Sequence, residues 1–159
     1  MNHKVKCIYL DVDGVLTDGT KSYYDDGRVS KVFHDHDSYG LKFIMNKGVN
    51  VLLISADKRV NETWAKHQNI PFIQSENKIN VLKESMFQLN LKKEECSFIG
   101  DDLRDLDCIK YVKYSMAPFN AHNIVKEHAW KVLSKTGGSG AVREAIEELM
   151  ALNKVTYDI

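Results

Sequence analysis

Asp11 and Asp13 stand two residues apart in "IYLDVDGVLTDG", residues 8–19, directly after an apolar run and directly before Gly14. A turn after a buried strand needs one polar residue, whereas a second carboxylate adds like-charge repulsion that something must offset. Three more polar sets stand in comparable places. They are Ser55, Ala56, Asp57 and Lys58 in "ISADK", Lys78 at the end of "SENK", and Asp101, Asp102 and Asp105 in "GDDLRD". If the preceding runs are neighbouring strands, one rim gathers Asp11, Asp13, Asp101 and Asp102, faced by Ser55 and Lys78. A carboxylate cluster that dense needs a cation, and Mg²⁺ suits it because it takes few carboxylates, keeps waters and bridges to phosphate oxygens. The hydroxyl of Ser55 and the ammonium of Lys78 then suit a phosphate. Asp11, at the strand end, is placed to attack phosphorus in line and form an aspartyl-phosphate. Asp13 would protonate the leaving alcohol, then deprotonate the water that hydrolyses the intermediate.

Such a rim requires strands that end together. Short apolar runs at 6–10, 50–54 and 96–100, with weaker ones at 71–73, 114–117 and 130–133, alternate with helical patterns. The helical stretches are 37–47, 58–68, 76–89, 103–111, 120–127 and 140–151. Near-continuous apolar strands separated by helices predict an α/β fold around a buried parallel sheet. Ligands of such sheets bind beyond the carboxyl ends of the strands, where every polar set above is found. One stretch departs from this rhythm. "TKSYYDDGRVSKVF", residues 20–33, alternates around Asp26-Gly27 and predicts a β-hairpin flap with a type I′ turn.

The 159 residues, 43 % of them hydrophobic, suffice for one domain with a proper core. The expected division is a single domain over 1–159, with a flap at 19–36 and a loop, helix and tail at 136–159. Lys+Arg and Asp+Glu each number 22, so no net basic field draws nucleic acid, and no basic run or long apolar span points to a membrane. Cys7, Cys96 and Cys108 lack metal or redox spacing and read as reduced thiols of a cytoplasmic protein.

In order and setting, "DVDGV", "ISAD", the lone Lys78 and "GDDLRD" resemble the four motifs of haloacid-dehalogenase-type phosphatases. More closely, "DVDGVLTDG", "FHDHDSYGLK", "GDDLRD" and "GGSGAVRE" resemble the 3-deoxy-octulosonate 8-phosphate phosphatases and the related nonulosonate 9-phosphate phosphatases. That resemblance runs from about Cys7 to Glu147. It implies a Rossmann-like sheet between helices without a cap domain, a Mg²⁺ cofactor, a homotetramer and a place in lipopolysaccharide biosynthesis. It also implies Asp11 as nucleophile, Asp13 as acid/base with its carbonyl on Mg²⁺, and Asp101 as the third protein ligand. Ser55, Ala56 and Lys78 would hold the phosphate. The chain departs from the pattern at Ser55-Ala56, where Thr-Gly is usual, at Ser38, where glycine is usual, and at His36 and Ser139, where arginine is usual. These departures bear on the sugar rather than on the reaction.

Other positions leave alternatives open. Asp102 orients Lys78 or a metal-bound water; Asp105 caps a helix or supports the metal from behind its ligands. Thr17, Asp18, Asp37, Lys58 and Arg143 are candidate substrate contacts, Lys58 being equally an exposed helix lysine. His34 and His36 share a face if the segment is extended, yet lack a third ligand. The loop Gly137–Gly140 is a linker or a source of backbone N–H groups for an anion. The hairpin's Tyr23, Val29, Val32 and Phe33 predict self-association that places Arg143 or the glycine-rich loop near a neighbour's Asp11. The expected activity is hydrolysis of a phosphorylated acidic keto-sugar, 3-deoxy-octulosonate 8-phosphate first and a nonulosonate 9-phosphate second. A catalytically idle oligomerisation domain is the rival from another class, though such relics lose aspartates that this chain keeps.

Overall fold

The computed structural model describes residues 3–157. Six parallel strands form one sheet in the order β5-β4-β1-β6-β7-β8, so β1 lies between β4 and β6. These strands are β1 (Cys7–Leu10), β4 (Asn50–Ser55), β5 (Phe72–Gln74), β6 (Cys96–Ile99), β7 (Tyr114–Ala117) and β8 (Lys131–Val132). Leu10 is in register with Leu53 on one side and Ile99 on the other, so the three central strands end at one level. The sequence-read strands and helices are all found, within one to three residues at their ends.

Each face of the sheet is covered because alternate strand residues point to opposite sides. Ile8, Leu10, Val51, Leu53 and Ile99 pack with Leu41, Ile44, Val142, Ile146 and Leu149. The latter come from α1 (Asp35–Asn46) and α6 (Ala141–Asn153), which lie against each other. Tyr9, Leu52, Ile54 and Phe98 pack on the other face with Leu82, Ile109 and Val125. Those three belong to α3 (Lys78–Gln88), α4 (Leu106–Tyr111) and α5 (Asn123–His128). The remaining helix, α2 (Arg59–Gln68), follows β4. Cys7, Cys96 and Cys108 are buried free thiols.

The flap is a hairpin of β2 (Ser22–Tyr23) and β3 (Val29–Ser30), inserted between β1 and α1. Its turn differs from expectation. Gly27 N–H donates to the Tyr24 carbonyl at 2.8 Å and Tyr24 N–H to the Arg28 carbonyl at 3.0 Å. Gly27 alone takes positive φ, +83°, so the loop is a three-residue type I turn closed by a glycine bulge. A type I′ turn would also force Asp26 into the left-handed region. Instead Asp26 Oδ1 accepts the Arg28 N–H at 3.0 Å.

Candidate active site

The strand that precedes Asp11 ends between two neighbours, so the loop after it meets polar groups from both sides. Asp11 N–H donates to the Ile99 carbonyl at 3.0 Å, and Asp11 Oδ1 accepts the Val12 N–H at 2.7 Å. Asp11 Oδ2 lies 2.9 Å from the Nζ of Lys78, the first residue of α3. Lys78 is 3 % exposed, and its Nζ also donates to Asp105 Oδ1 at 2.7 Å. Burial lowers the Lys78 pKa, but the charges of Asp11 and Asp105 more than offset this and lift it to about 12.

Asp105 has no exposed surface, and its Oδ2 accepts the N–H groups of Asp101 and Asp102 at 3.0 and 3.3 Å. It therefore ties the "GDD" turn to Lys78. Asp105 thus orients Lys78, one of the two tasks that the sequence suggested for Asp102. Asp102 does line the cavity.

The donor set fits a divalent cation. Asp11, Asp101 and Asp105 each bring a carboxylate oxygen within 4.8 Å of the others, but Asp105 has no exposed surface and does not line the cavity, whereas Asp11 and Asp101 do. Asp101 Oδ1 is buried without a hydrogen-bond partner. A Cβ on Gly14 would lie 1.9 Å from Asp101 Oδ2, so the carboxylate of Asp101 rests against the backbone that follows Asp13. Burial, with the charges of Asp11 and Asp105 adding, raises the Asp101 pKa to about 8. Burial and the charge of Asp105 raise that of Asp11 to about 7, against the opposing effect of Lys78. These values hold with no cation bound.

They make stability depend on pH. Above the ordinary carboxylate value the unfolded chain has released protons that folded Asp11 and Asp101 still hold, so stability falls as pH rises toward 7–8. The Tm of chelator-treated protein should therefore decline between about pH 5 and about pH 8, and a divalent cation should restore more of it at the upper end. Scanning calorimetry across that range tests this; a chelated protein that gains stability toward pH 8 would contradict it.

The second wall comes from the flap and α2, and sequence reading missed it. Lys31, one residue beyond β3, has a side chain with no accessible surface. Its Nζ lies 2.7 Å from Asp13 Oδ1 and donates to Asn61 Oδ1 at 2.9 Å and Asp57 Oδ2 at 3.2 Å. Asn61, fully buried on α2, directs Nδ2 at Asp13 Oδ2 (3.0 Å), Ser55 Oγ (3.2 Å) and the Asp57 carbonyl (2.9 Å). Asp57 also accepts from Lys21 at 2.7 Å and from Arg59. Burial raises its pKa, but the hydrogen bonds from Arg59, Lys21 and Lys31 prevail and hold it well below the usual range. The signals were faint but real. Val29, Lys31 and Phe33 alternate inward, and Asn61 shares the buried face of α2 with Ala65.

Asp11, Asp13, Ser55, Ala56, Lys78, Asp101 and Asp102 line one cavity of about 290 Å³, with Lys21 and Asp57. None of the five candidate substrate contacts is among its lining residues. Thr17 is buried and its Oγ1 accepts the N–H groups of Gly14 and Gly19, which shapes the loop. Asp18 closes its own turn by accepting from Thr20 N–H and Oγ1. Asp37 Oδ1 accepts the Arg143 N–H at 2.7 Å and so caps α6 from α1. Arg143 pairs with Glu147 at 2.8 Å and lines a different cavity with His36 and Lys135. Lys58 is exposed where α2 begins.

His34 Nδ1 caps α1 by accepting the His36 N–H at 3.3 Å, so these histidines do not share a strand face. The glycine-rich loop packs beneath the chain's own first motif, since a Cβ on Gly137 would lie 2.0 Å from the Gly14 carbonyl oxygen. Three of its amides are engaged internally, Gly137 N–H by Asn120 Oδ1, Gly138 N–H by the Val15 carbonyl and Ser139 N–H by the Thr136 carbonyl, and so are not offered to an anion.

Paired aspartates after the central strand, a hydroxyl after one neighbour, a third aspartate after the other and a buried lysine define a haloacid dehalogenase-like hydrolase. Residues 52–146 match the model of the family so described. The 3-deoxy-D-manno-octulosonate 8-phosphate phosphatase KdsC of Haemophilus influenzae is 32 % identical over 152 residues, which span 92 % of this chain and 83 % of the relative. A probable YrbI family phosphatase from Pseudomonas syringae superposes with a TM-score of 0.90 at 36 % identity, over 94 % of this chain and 87 % of that one. The 3-deoxy-D-manno-octulosonate 8-phosphate phosphatase of Moraxella catarrhalis, solved with magnesium, phosphate and KDO, superposes at 0.91 with 28 % identity, over 95 % and 88 %. The chain belongs to the haloacid dehalogenase-like hydrolases, as a phosphatase of the 3-deoxy-D-manno-octulosonate 8-phosphate phosphatase type. Among the described residues, no helix is long and apolar enough to cross a membrane.

Proposed function

We propose that this protein is a Mg²⁺-dependent phosphomonoesterase acting on a phosphorylated acidic keto-sugar, with 3-deoxy-D-manno-octulosonate 8-phosphate as its first substrate. One observation carries the reading: Asp11, Asp13, Ser55, Lys78 and Asp101 converge on a single cavity of about 290 Å³, near the lower size limit for small-ligand sites. The magnesium, phosphate and KDO bound to the Moraxella relative support it. Asp11, Asp101 and the Asp13 carbonyl would hold Mg²⁺, which when bound offsets negative charge on the phosphoryl oxygens.

The chain's own residues supply the rest. An Asp11 oxygen attacks phosphorus, the bond from phosphorus to the sugar oxygen breaks, and Asp13 gives its proton to that oxygen. Asp13 then takes a proton from water as the water oxygen attacks the phosphoryl-Asp11, and inorganic phosphate leaves with the Asp11 carboxylate restored. Ser55 Oγ receives one hydrogen bond from Asn61, which leaves its own hydrogen for a phosphate oxygen. Lys78, the Ala56 N–H and that hydroxyl would together hold the phosphate.

A panel of phosphorylated sugar acids ranked by kcat/KM, with and without Mg²⁺, tests the reading. A preference for neutral sugar phosphates would reject the acidic class. A nonulosonate 9-phosphate at the head of the panel would select the second substrate, which Ser38 in place of glycine favours. In the same assay Asp101→Ala should raise the Mg²⁺ needed for half-maximal rate far more than Asp102→Ala; equal shifts would reverse the metal assignment.

We also infer a single cytoplasmic domain that assembles as a homotetramer through its flaps. Tyr23, Tyr24 and Val32 support this, being 69 %, 51 % and 81 % exposed. Phe33 contributes less than expected, since it stacks on Trp64 of its own chain at 4.6 Å. Light scattering measures the assembly.

A further inference from the structure

We propose that Lys31 and Asn61 are positioning residues that hold the Asp13 carboxylate in its proton-transfer orientation, making the flap part of the catalytic apparatus. The inference rests on the reading of Asp13 as acid/base. A carboxylate on a loop has two side-chain torsions to fix, and misplacement by 1 Å costs about 10²-fold in rate. Asp13 is held at both oxygens, by Asn61 Nδ2 at Oδ2 and by the Lys31 ammonium at Oδ1.

The two contacts differ in kind. Asn61 makes an aligned hydrogen bond at 3.0 Å. Lys31 makes an ion pair at 2.7 Å with Asp13 Oδ1, an oxygen buried without an aligned hydrogen bond, so charge rather than a directed bond holds that side of the carboxylate. Lys31 is itself held by Asn61 Oδ1 and Asp57 Oδ2, so it cannot follow Asp13 freely.

The Asn61 amide also touches Ser55 Oγ. One side chain thereby sets the spacing between the acid/base and a hydroxyl that faces the phosphate. Lys31 arrives from the opposite direction, 18 residues along the chain from Asp13 and just past the flap's second strand. A buried lysine needs counter-ions anyway, and Asp57 alone would serve. The added approach to Asp13 is what a structural role leaves unused.

The test compares two leaving groups. 4-Nitrophenolate departs without a proton, whereas the alcohol of a primary sugar phosphate needs one, so loss of acid catalysis weighs on the second ester. Lys31→Met should lose about 10- to 100-fold more in kcat/KM on the sugar phosphate heading the substrate panel than on 4-nitrophenyl phosphate. Asn61→Ser should bias the two esters in the same direction and guards against a Lys31 variant that does not fold. Lys31→Arg should recover part of the loss. In the double variant Asp13→Asn/Lys31→Met, turnover should be no lower than in Asp13→Asn alone, because Lys31 acts through Asp13.

Equal losses on both esters, or losses in the double variant that multiply, would overturn the proposal and leave Lys31 a structural ion pair. A raised KM or a raised inhibition constant for inorganic phosphate, at unaltered kcat, would overturn it in favour of substrate binding. If Asp13→Asn itself discriminates no leaving group, the acid/base reading fails first. If it does discriminate while Lys31→Met and Asn61→Ser do not, the positioning proposal alone fails.

Discussion

Asp11→Asn is expected to reduce phosphate release by about 10⁴-fold or more while the chain stays folded. The amide retains the size of the carboxylate but lacks an oxygen able to bond phosphorus and leave again. Its cost to stability should be small, because two effects oppose each other. Asn loses the ion pair to Lys78, whose Nζ lies 2.9 Å from Asp11 Oδ2, yet Lys78 keeps Asp105 at 2.7 Å. It also removes a carboxylate that burial and the charge of Asp105 raise to about 7 and that raises Asp101 in turn. At pH 8 without metal, the Tm should thus stay within a few degrees, about 4 °C at most. Acid quench after incubation with radiolabelled substrate should find label on the wild-type chain and none on the variant. Turnover above a tenth of wild type, or label retained on Asp11→Asn, would exclude the aspartyl-phosphate.

What made the site legible was locality. Asp11, Ser55 and Asp101 each follow an apolar run directly, so strand propensity and the position of strand ends in open α/β sheets sufficed to bring them together. The order β5-β4-β1-β6 then makes their strands neighbours, which no single motif states. Lys31 and Asn61 were opaque for the converse reason. A lysine in a short hairpin and an asparagine in a helix are solvated in most proteins, and only a contact across 18 or 48 residues gives them a task. Asp37 and Arg143 present the opposite case, in which the structure supplies partners that the sequence did not announce. Their resemblance to a motif drew attention to substrate, whereas the packing of α1 on α6 uses the Asp37 carboxylate as a cap and the Arg143 side chain in a surface pair. Asp26-Gly27 carried a hairpin signal that fixed the place of the turn but not its type, since one glycine satisfies two turn geometries.

Lys78→Met should damage the fold and the chemistry together. Methionine fills much of the same volume but leaves Asp11 and Asp105 facing each other, 7 % and 0 % exposed, without their shared cation. Breaking a buried pair from one side costs about 3–5 kcal/mol, and here a single residue serves two carboxylates. Asp105 would also be expected to shift from the Asp101 and Asp102 amides that it accepts, loosening the "GDD" turn behind the metal site. Turnover should consequently fall by about 10³-fold or more, through both lost charge on the phosphoryl group and misplaced ligands.

The pH dependence separates this account from simple loss of packing. Without Lys78, the folded chain holds protons on Asp11 more firmly still, while the unfolded chain releases them near the ordinary carboxylate value. The penalty is therefore largest at about pH 8 and shrinks as the pH falls toward about 5, where folded Asp11 is neutral. Urea unfolding of chelated wild type and Lys78→Met at both ends of that range measures it. A difference between the two proteins that stays constant with pH would show Lys78 acting as a packed hydrocarbon stem rather than as the cation that lets Asp11 and Asp105 remain buried side by side.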